Sequence, residues 1–267
     1  MHDGGDHRGG IELKLYAMSC GYLRCRKVAF VPTADKSIVM DSPMPVYLIT
    51  HPGGNVLFDT GPNPVVFDDA AKHWGGLAKA FQPLGDKESG VAAQLEKIGV
   101  DTGDVKYVVN SHLHFDHAGG NRFFPGATFI VQREELSCAR NPEYAERGYI
   151  QADWDDPALH YEAIEGERDL FGDGLLRIIP VEGHTLGHQV LVVRLPHQGA
   201  MILSGDGVPC EENLLQAIVT RTNMDNDLAL RSIEKLRRLV VQEDALLIHG
   251  HDATQWGKIR HAPAYYD

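Results

Sequence analysis

The sequence predicts a mixed α/β fold, and three observations lead there. Two strand–turn–strand patterns recur far apart in the chain, each closing on an acidic residue beside glycine. Helix-period stretches follow them, and the 43% apolar, 23% charged composition is that of an ordinary globular protein. At 267 residues the chain has room for one large domain or two small ones, with roughly 70–75% of its extended surface buried on folding. The repeated pattern favours one domain over 11–267, built as an internal pseudo-repeat, behind a Gly-rich polar tail at 1–10 that is expected to fray.

Taken in order, Ile11 to Ala17 alternates as a strand. Pro45 to Thr50, the turn residues His51 to Asn55, and Val56 to Phe58 make a hairpin that closes on Asp59-Thr60-Gly61. Val91 to Ile98 carries a helical period and stops before Gly99. Val105 to Asn110 is β-rich. Gln189 to Leu195, the turn Pro196 to Gly199, and Ala200 to Leu203 repeat the hairpin and close on Ser204-Gly205-Asp206-Gly207. Asp227 to Val241 spaces Leu228, Ile233, Leu236, Leu239 and Val240 as the buried face of a helix. The stretches 62–89 and 133–170 fit neither period, so each is expected to be a loop shaping a site or a plain insertion.

Subtracting 37 acidic from 25 basic residues leaves a net charge of −12, and no basic cluster relieves it, which excludes a nucleic-acid partner. No apolar run reaches the 18 or so residues of a membrane span and the opening segment lacks a signal-peptide core, so the expectation is a cytoplasmic protein without a membrane partner. The four scattered cysteines form neither a disulfide framework nor a zinc ribbon and read as reduced thiols.

The decisive run follows the strand ending at Asn110: Ser111-His112-Leu113-His114-Phe115-Asp116-His117-Ala118-Gly119-Gly120. Imidazole and carboxylate are natural ligands for zinc or another borderline divalent metal. His112 and His114, two apart, face the same way in extended backbone; Asp116 and His117 sit where the chain turns and are displaced enough to address a second ion. A lone His-x-His is usually structural, but polar groups at this density are costly to bury without an ion. Two ions need further ligands, and His184, Asp206 and His251 each stand beside glycine after an apolar run.

With Asp59-Thr60-Gly61, Phe129 to Arg133, Gly183-His184-Thr185-Leu186-Gly187-His188-Gln189, Asp206 and Gly250-His251-Asp252 added, the chain from Ile11 onward resembles the metallo-β-lactamase superfamily. Within it, the chain is similar to the N-acyl-homoserine lactonases and their γ-butyrolactone-hydrolysing relatives. The resemblance implies a four-layer αββα sandwich of two mixed sheets flanked by helices, with the site at one edge between the sheets. It also implies that His112, His114 and His184 hold one metal, that Asp116, His117 and His251 hold the other, and that Asp206 bridges both. The expected cofactors are two divalent ions, zinc first, with iron, cobalt and manganese also suited to N/O ligands.

The expected activity is opening of an N-acyl-homoserine lactone or related γ-lactone by a metal-bridging hydroxide, with Asp116 as the catalytic residue that orients the nucleophile and returns a proton. The expected partner is a small-molecule lactone; oligomeric state is open and a homodimer is admitted. Asp59 and His188 are candidates for orienting ligand histidines, and His249 reads as structural. Met18, Tyr22, Phe115 and the Trp74 region are candidates for an apolar acyl-chain pocket. One position departs from the lactonases: where they place a tyrosine, three residues after the bridging aspartate, this chain has Pro209, which has no donor. Either the metals carry that load, another phenol such as Tyr22 replaces it, or the substrate differs. Two other functions compete: a glyoxalase II-like thioester hydrolase, and a non-catalytic metal or ligand binder.

Overall fold

The computed structural model describes residues 12–267, so the expected frayed tail at 1–10 and the start of the first strand at Ile11 lie outside the described residues. Two mixed sheets stack face to face. The first contains β1 (Lys14–Arg26), β2 (Val39–Thr50), β3 (Asn55–Phe58), β4 (Gln82–Leu84), β5 (Val105–Val109), β6 (Thr128–Gln132) and β7 (His160–Ile164), in spatial order β4-β1-β2-β3-β5-β6-β7. The second contains β8 (Arg168–Asp169), β9 (Leu176–Pro180), β10 (Gln189–Leu195), β11 (Gly199–Leu203) and β12 (Leu246–Ile248), in order β12-β11-β10-β9-β8. The helices are α1 (Val66–Trp74), α2 (Val91–Glu96), α3 (Arg133–Arg140), α4 (Gln151–Trp154), α5 (Glu211–Gln216), α6 (Asn226–Glu243) and α7 (Ala253–Trp256).

The period-2 pattern of the strands decides the layers. In β10, Leu191 and Val193 face the first sheet and join Phe58, Ile130, Ile178 and Leu203 in the central core, whereas Val190 and Val192 face outward onto Ile233, Leu236 and Leu239 of α6. In β3, Val56 and Phe58 point inward while Leu57 points out to Val91 and Leu95 of α2. The order is therefore helix, sheet, sheet, helix, as the resemblance implied.

Each predicted hairpin forms in its own sheet: β2 pairs antiparallel with β3, and β10 with β11. Each is then extended by a parallel strand, β5 beside β3 and β12 beside β11. The helix over 226–243 starts where the Asp225 side chain accepts the Leu228 N–H at 2.9 Å.

The stretches 62–89 and 133–170 are a correction. They are not irregular: the first holds α1 and β4, the second α3, α4, β7 and β8. Their elements are short, and α1 is broken by an extended residue, Asp69 (φ −153°), so no period persists long enough to register in the sequence. β1 also runs nine residues past the expected Ala17. Its register shifts between Ser19 and Tyr22, where Gly21 adopts φ 87°, and that bulge hides the alternation. Among the described residues no helix is long and apolar enough to cross a membrane.

Candidate metal centre

The predicted ligands all leave the C-terminal ends of strands that share one edge of the sandwich. His112 follows β5, His184 follows β9, Asp206 follows β11 and His251 follows β12. β9 and β11 both run antiparallel to β10, and β12 runs parallel to β11, so three of those ends meet at one edge of the second sheet. The loops are tight. Gly205 takes φ 47°, and a Cβ there would lie 2.8 Å from the Ser111 Cβ; a Cβ on Gly250 would overlap the Gly205 carbonyl oxygen. After His112 the chain turns back, with the His117 and Ala118 N–H groups donating to the His114 carbonyl at 3.0 and 2.9 Å.

All seven predicted ligands converge and all are buried. Their donor atoms form three overlapping groups, His112–His114–His184, His112–His117–Asp206 and Asp116–His117–His251, with atoms in each group within 4.8 Å of one another. Asp206 lies between two of the clusters. Its Oδ1 is 2.9 Å from His251 Nε2 and 3.3 Å from His117 Nε2, while its Oδ2 is 3.2 Å from His184 Nε2. Asp116 Oδ2 is 3.5 Å from His251 Nε2 and 3.8 Å from His117 Nε2.

These groups fit cations. The Nε2 atoms of His112, His117 and His251, together with Asp206 Oδ1, are buried and make no hydrogen bond, and His114 Nδ1 and His184 Nε2 face each other at 3.0 Å. So many unsatisfied polar atoms in one place would be strongly unfavourable without an ion, and the imidazole and carboxylate set is what a borderline divalent cation takes. Burial, with repulsion among the neighbouring imidazoles, holds His112 and His114 below their ordinary pKa; His184 is also lowered, chiefly by burial. Neutral rings of this kind offer lone pairs. Burial opposes charge on His117 and His251 too, but facing carboxylates, Asp206 among them, hold both above the ordinary value. His251, His184 and His117 overcome burial and keep Asp206 ionised.

The far nitrogens of three rings are fixed. His112 Nδ1 meets Ser111 Oγ at 2.9 Å, His117 Nδ1 meets Asp59 Oδ2 at 2.8 Å, and His251 Nδ1 meets the Pro43 carbonyl at 2.9 Å. His184 Nδ1 lacks an aligned partner, and the Asn223 side chain is the polar group beside it. Asp59 thus orients the His117 ring, as expected of it. His188 does something else: its Nε2 accepts the Asp206 backbone N–H at 3.1 Å and so holds the bridging loop. His249 binds the Val208 carbonyl at 3.1 Å, a structural role.

Three contributors escaped the sequence reading. Glu135, fully buried on α3, accepts from Leu113 N at 2.8 Å, Tyr149 Oη at 3.1 Å and Thr185 Oγ1 at 2.5 Å, tying the loops of His112/His114 and His184 together. The Tyr149 ring packs edge-on to His114 (centroids 4.9 Å apart), and Phe30 stacks on His251 at 4.8 Å and 19°. Nothing in the local sequence marks them, because their role arises only across the fold.

Above this cluster opens a cleft, with His114, Asp116, His184 and Asp206 at its floor and Leu23, Phe30, Leu77, Phe81 and Phe115 among its walls. Phe115 takes the predicted position, and Trp74 backs it edge-on at 4.7 Å. Met18 and Tyr22 do not line the cleft. Met18 is buried in the core under α2, and Tyr22 is 39% exposed at the bulge of β1, so it does not supply the missing phenol. Pro209 contributes its carbonyl, which accepts the His251 N–H at 2.8 Å.

A family model described as the metallo-β-lactamase superfamily matches residues 42–251. The chain is 38% identical over 264 residues to an N-acyl homoserine lactonase AttM of Rhizobium radiobacter, covering 96% of this chain and 99% of that one. It is 32% identical over 253 residues to the N-acyl homoserine lactonase AiiA of Bacillus thuringiensis subsp. kurstaki, covering 94% and 98%. Among solved structures, an N-acyl homoserine lactone hydrolase with the product N-hexanoyl-L-homoserine bound at its catalytic metal centre superposes with a TM-score of 0.87 at 28% identity, covering 96% of this chain and 99% of that one.

Proposed function

The chain belongs to the metallo-β-lactamase superfamily, and from that premise we propose that it is a dinuclear-metal lactonase that opens N-acyl-homoserine lactones or related γ-lactones, a quorum-quenching activity. The observation that carries the proposal is the split of Asp206, one oxygen toward His117 and His251 and the other toward His184, at the floor of an apolar cleft. In this reading His112, His114 and His184 hold one cation, Asp116, His117 and His251 the other, and Asp206 both, within one domain over 11–267. Zinc is the favoured ion. When bound, the two cations supply Lewis acidity, lowering the pKa of water to about 7 and polarising the carbonyl of the ester.

The chain's own residues do the rest. The cleft walls, Phe115, Phe81, Leu77 and Leu23, hold an acyl chain away from water and leave the ring at the polar floor. Asp116 borders the cleft and is the acid–base side chain placed to pass a proton to the departing ring oxygen. Pro209 brings no side-chain donor, so in this reading the leaving oxygen takes its proton from Asp116.

The thioester reading is not favoured. Arg147 is the one Lys or Arg among the residues lining the cleft, whereas glutathione presents two carboxylates. Parallel assays on N-acyl-homoserine lactones, γ-butyrolactone and a glutathione thioester, with metal content measured on the same sample, test the proposal. Lactone turnover abolished by chelation is expected. Preference for the thioester, or metal-loaded protein inert toward every substrate, would refute it.

A further inference from the structure

Behind the cleft, apart from the metal-facing groups, lies a second buried polar cluster. Asp153 of α4 is 1% exposed; His73 Nε2 lies 2.9 and 3.0 Å from its two oxygens, and Asn63 Nδ2 donates to Oδ1 at 2.9 Å. His73 sits in the last turn of α1, and Asn63 in the loop that enters it, where its Oδ1 accepts the Val65 N–H at 3.3 Å. These partners are 80 and 90 residues from Asp153 in the chain. A carboxylate buried this deeply persists only when paired, so the cluster holds its two segments together.

Those segments adjoin the two lips of the cleft. On one side Trp74, next to His73, presses on Phe115, and Leu77 and Phe81 continue the wall. On the other, Glu146 to Gly148 line the opening, the Gly148 carbonyl accepts the Phe115 N–H at 3.0 Å, and Ile150 packs into the Trp74–Phe115 cluster. Phe115 itself is fixed by its place between His114 and Asp116. The Leu77–Phe81 wall follows the helix whose last turn His73 occupies.

We propose that Asp153, acting through His73 and Asn63, is a positioning residue that sets the separation of the cleft's lips and hence the acyl-chain length the cleft accepts; this rests on the lactonase reading above. A long chain reaches the Leu77–Phe81 wall, while a short one leaves it unused and sits with its ring at the floor. The clamp therefore acts on binding of long-chain substrates and leaves the ring-opening step untouched.

The test uses the intact, metal-loaded protein and two variants at half-buried His73, sparing Asp153, whose loss threatens the fold. Hydrolysis of N-butanoyl- and N-decanoyl-homoserine lactone is measured beside hydrogen exchange over residues 66–81. In H73A the KM for the decanoyl substrate is expected to rise roughly tenfold, with kcat and the butanoyl KM within about twofold and exchange over 66–81 faster. H73Q keeps an N–H donor for Asp153 and is expected to restore the decanoyl KM. Equal KM rises for both substrates, a fall in kcat alone, an unchanged decanoyl KM in H73A, or H73Q behaving as H73A would each overturn the proposal. A wild type that hydrolyses neither lactone overturns the lactonase reading and this proposal with it; every other failure concerns the clamp alone.

Discussion

Asp59 Oδ2 lies 2.8 Å from His117 Nδ1, two buried side chains 58 residues apart in sequence. Asp59 reaches this place through a left-handed backbone (φ 59°) at the end of β3, and its other oxygen accepts the Ser111 N–H at 2.6 Å. One carboxylate thus fixes the backbone that starts the histidine run and the tautomer of its last ring, leaving His117 Nε2 free toward the cation cluster.

Asp59→Asn keeps a residue that tolerates φ > 0 but removes the carboxylate. Metal affinity is expected to fall roughly 10–100-fold, as read by competition with a chromogenic chelator, while the circular dichroism spectrum is retained. Wild-type affinity would show that Asp59 is only a turn residue.

Asp206→Ala removes the side chain whose two oxygens face His184 on one side and His117 and His251 on the other. Metal content by mass spectrometry is expected to drop from two ions to at most one per chain, and lactone kcat/KM by roughly a hundredfold or more. Two retained ions at full rate would refute the bridging assignment.

The buried unsatisfied nitrogens around Asp206 also make stability depend on the ions. Exhaustive chelation is expected to lower Tm by roughly 5–10 °C, with recovery on adding zinc, since a ligand that binds only the folded state stabilises it. Calorimetry with and without chelator decides this; an unchanged Tm would mean the cluster tolerates burial without metal.

Gly187 sits against the backbone nitrogen of Glu135, where a Cβ would overlap it. Gly187→Ala is expected to destabilise by about 2–3 kcal/mol in urea unfolding, because the close approach is between two backbones and neither can rotate away. Gly126→Ala, with open space at the Cβ position, serves as control and is expected within about 0.5 kcal/mol of wild type.

Burial pushes the Glu135 carboxyl up to about 7, against the hydrogen bonds from Thr185, Leu113, Tyr149 and Gly187 that favour its ionised form. The folded protein then holds a proton that the unfolded chain releases near pH 4.5, the ordinary value for this carboxyl. Stability contributed by this group is complete below about pH 4.5 and is lost as pH rises through about 7. Urea midpoints of wild type and Glu135→Gln, compared from pH 4.5 to 7.5, should show the wild type losing ground with rising pH; a constant difference would place the Glu135 pKa in the ordinary range.

The site was more visible in the sequence than the segments that shape it. His112, His114, Asp116 and His117 stand in one loop, so their spacing alone fixes that they meet. The β2–β3 and β10–β11 hairpins were visible because each has two short runs and a turn. In contrast α1, α4 and β4 are brief or broken, and their residues pack according to partners elsewhere in the chain. The acyl-pocket expectation failed at Met18 and Tyr22 for the same reason: apolar character does not say which face of a bulged strand looks into a cleft.

The sequence by itself determined the imidazole and carboxylate character of the cluster, the helix and strand periods, and the absence of a donor at Pro209, because these follow from residue type and local spacing. The tertiary structure alone decided that Asp206 stands between His184 and the His117–His251 pair, that Glu135 and Asp59 brace the ligand loops, and that Asp153 joins the segments adjoining the lips of the cleft. Those relationships connect residues tens of positions apart, and only the packing of the sheets and their connecting loops brings such groups within hydrogen-bond distance.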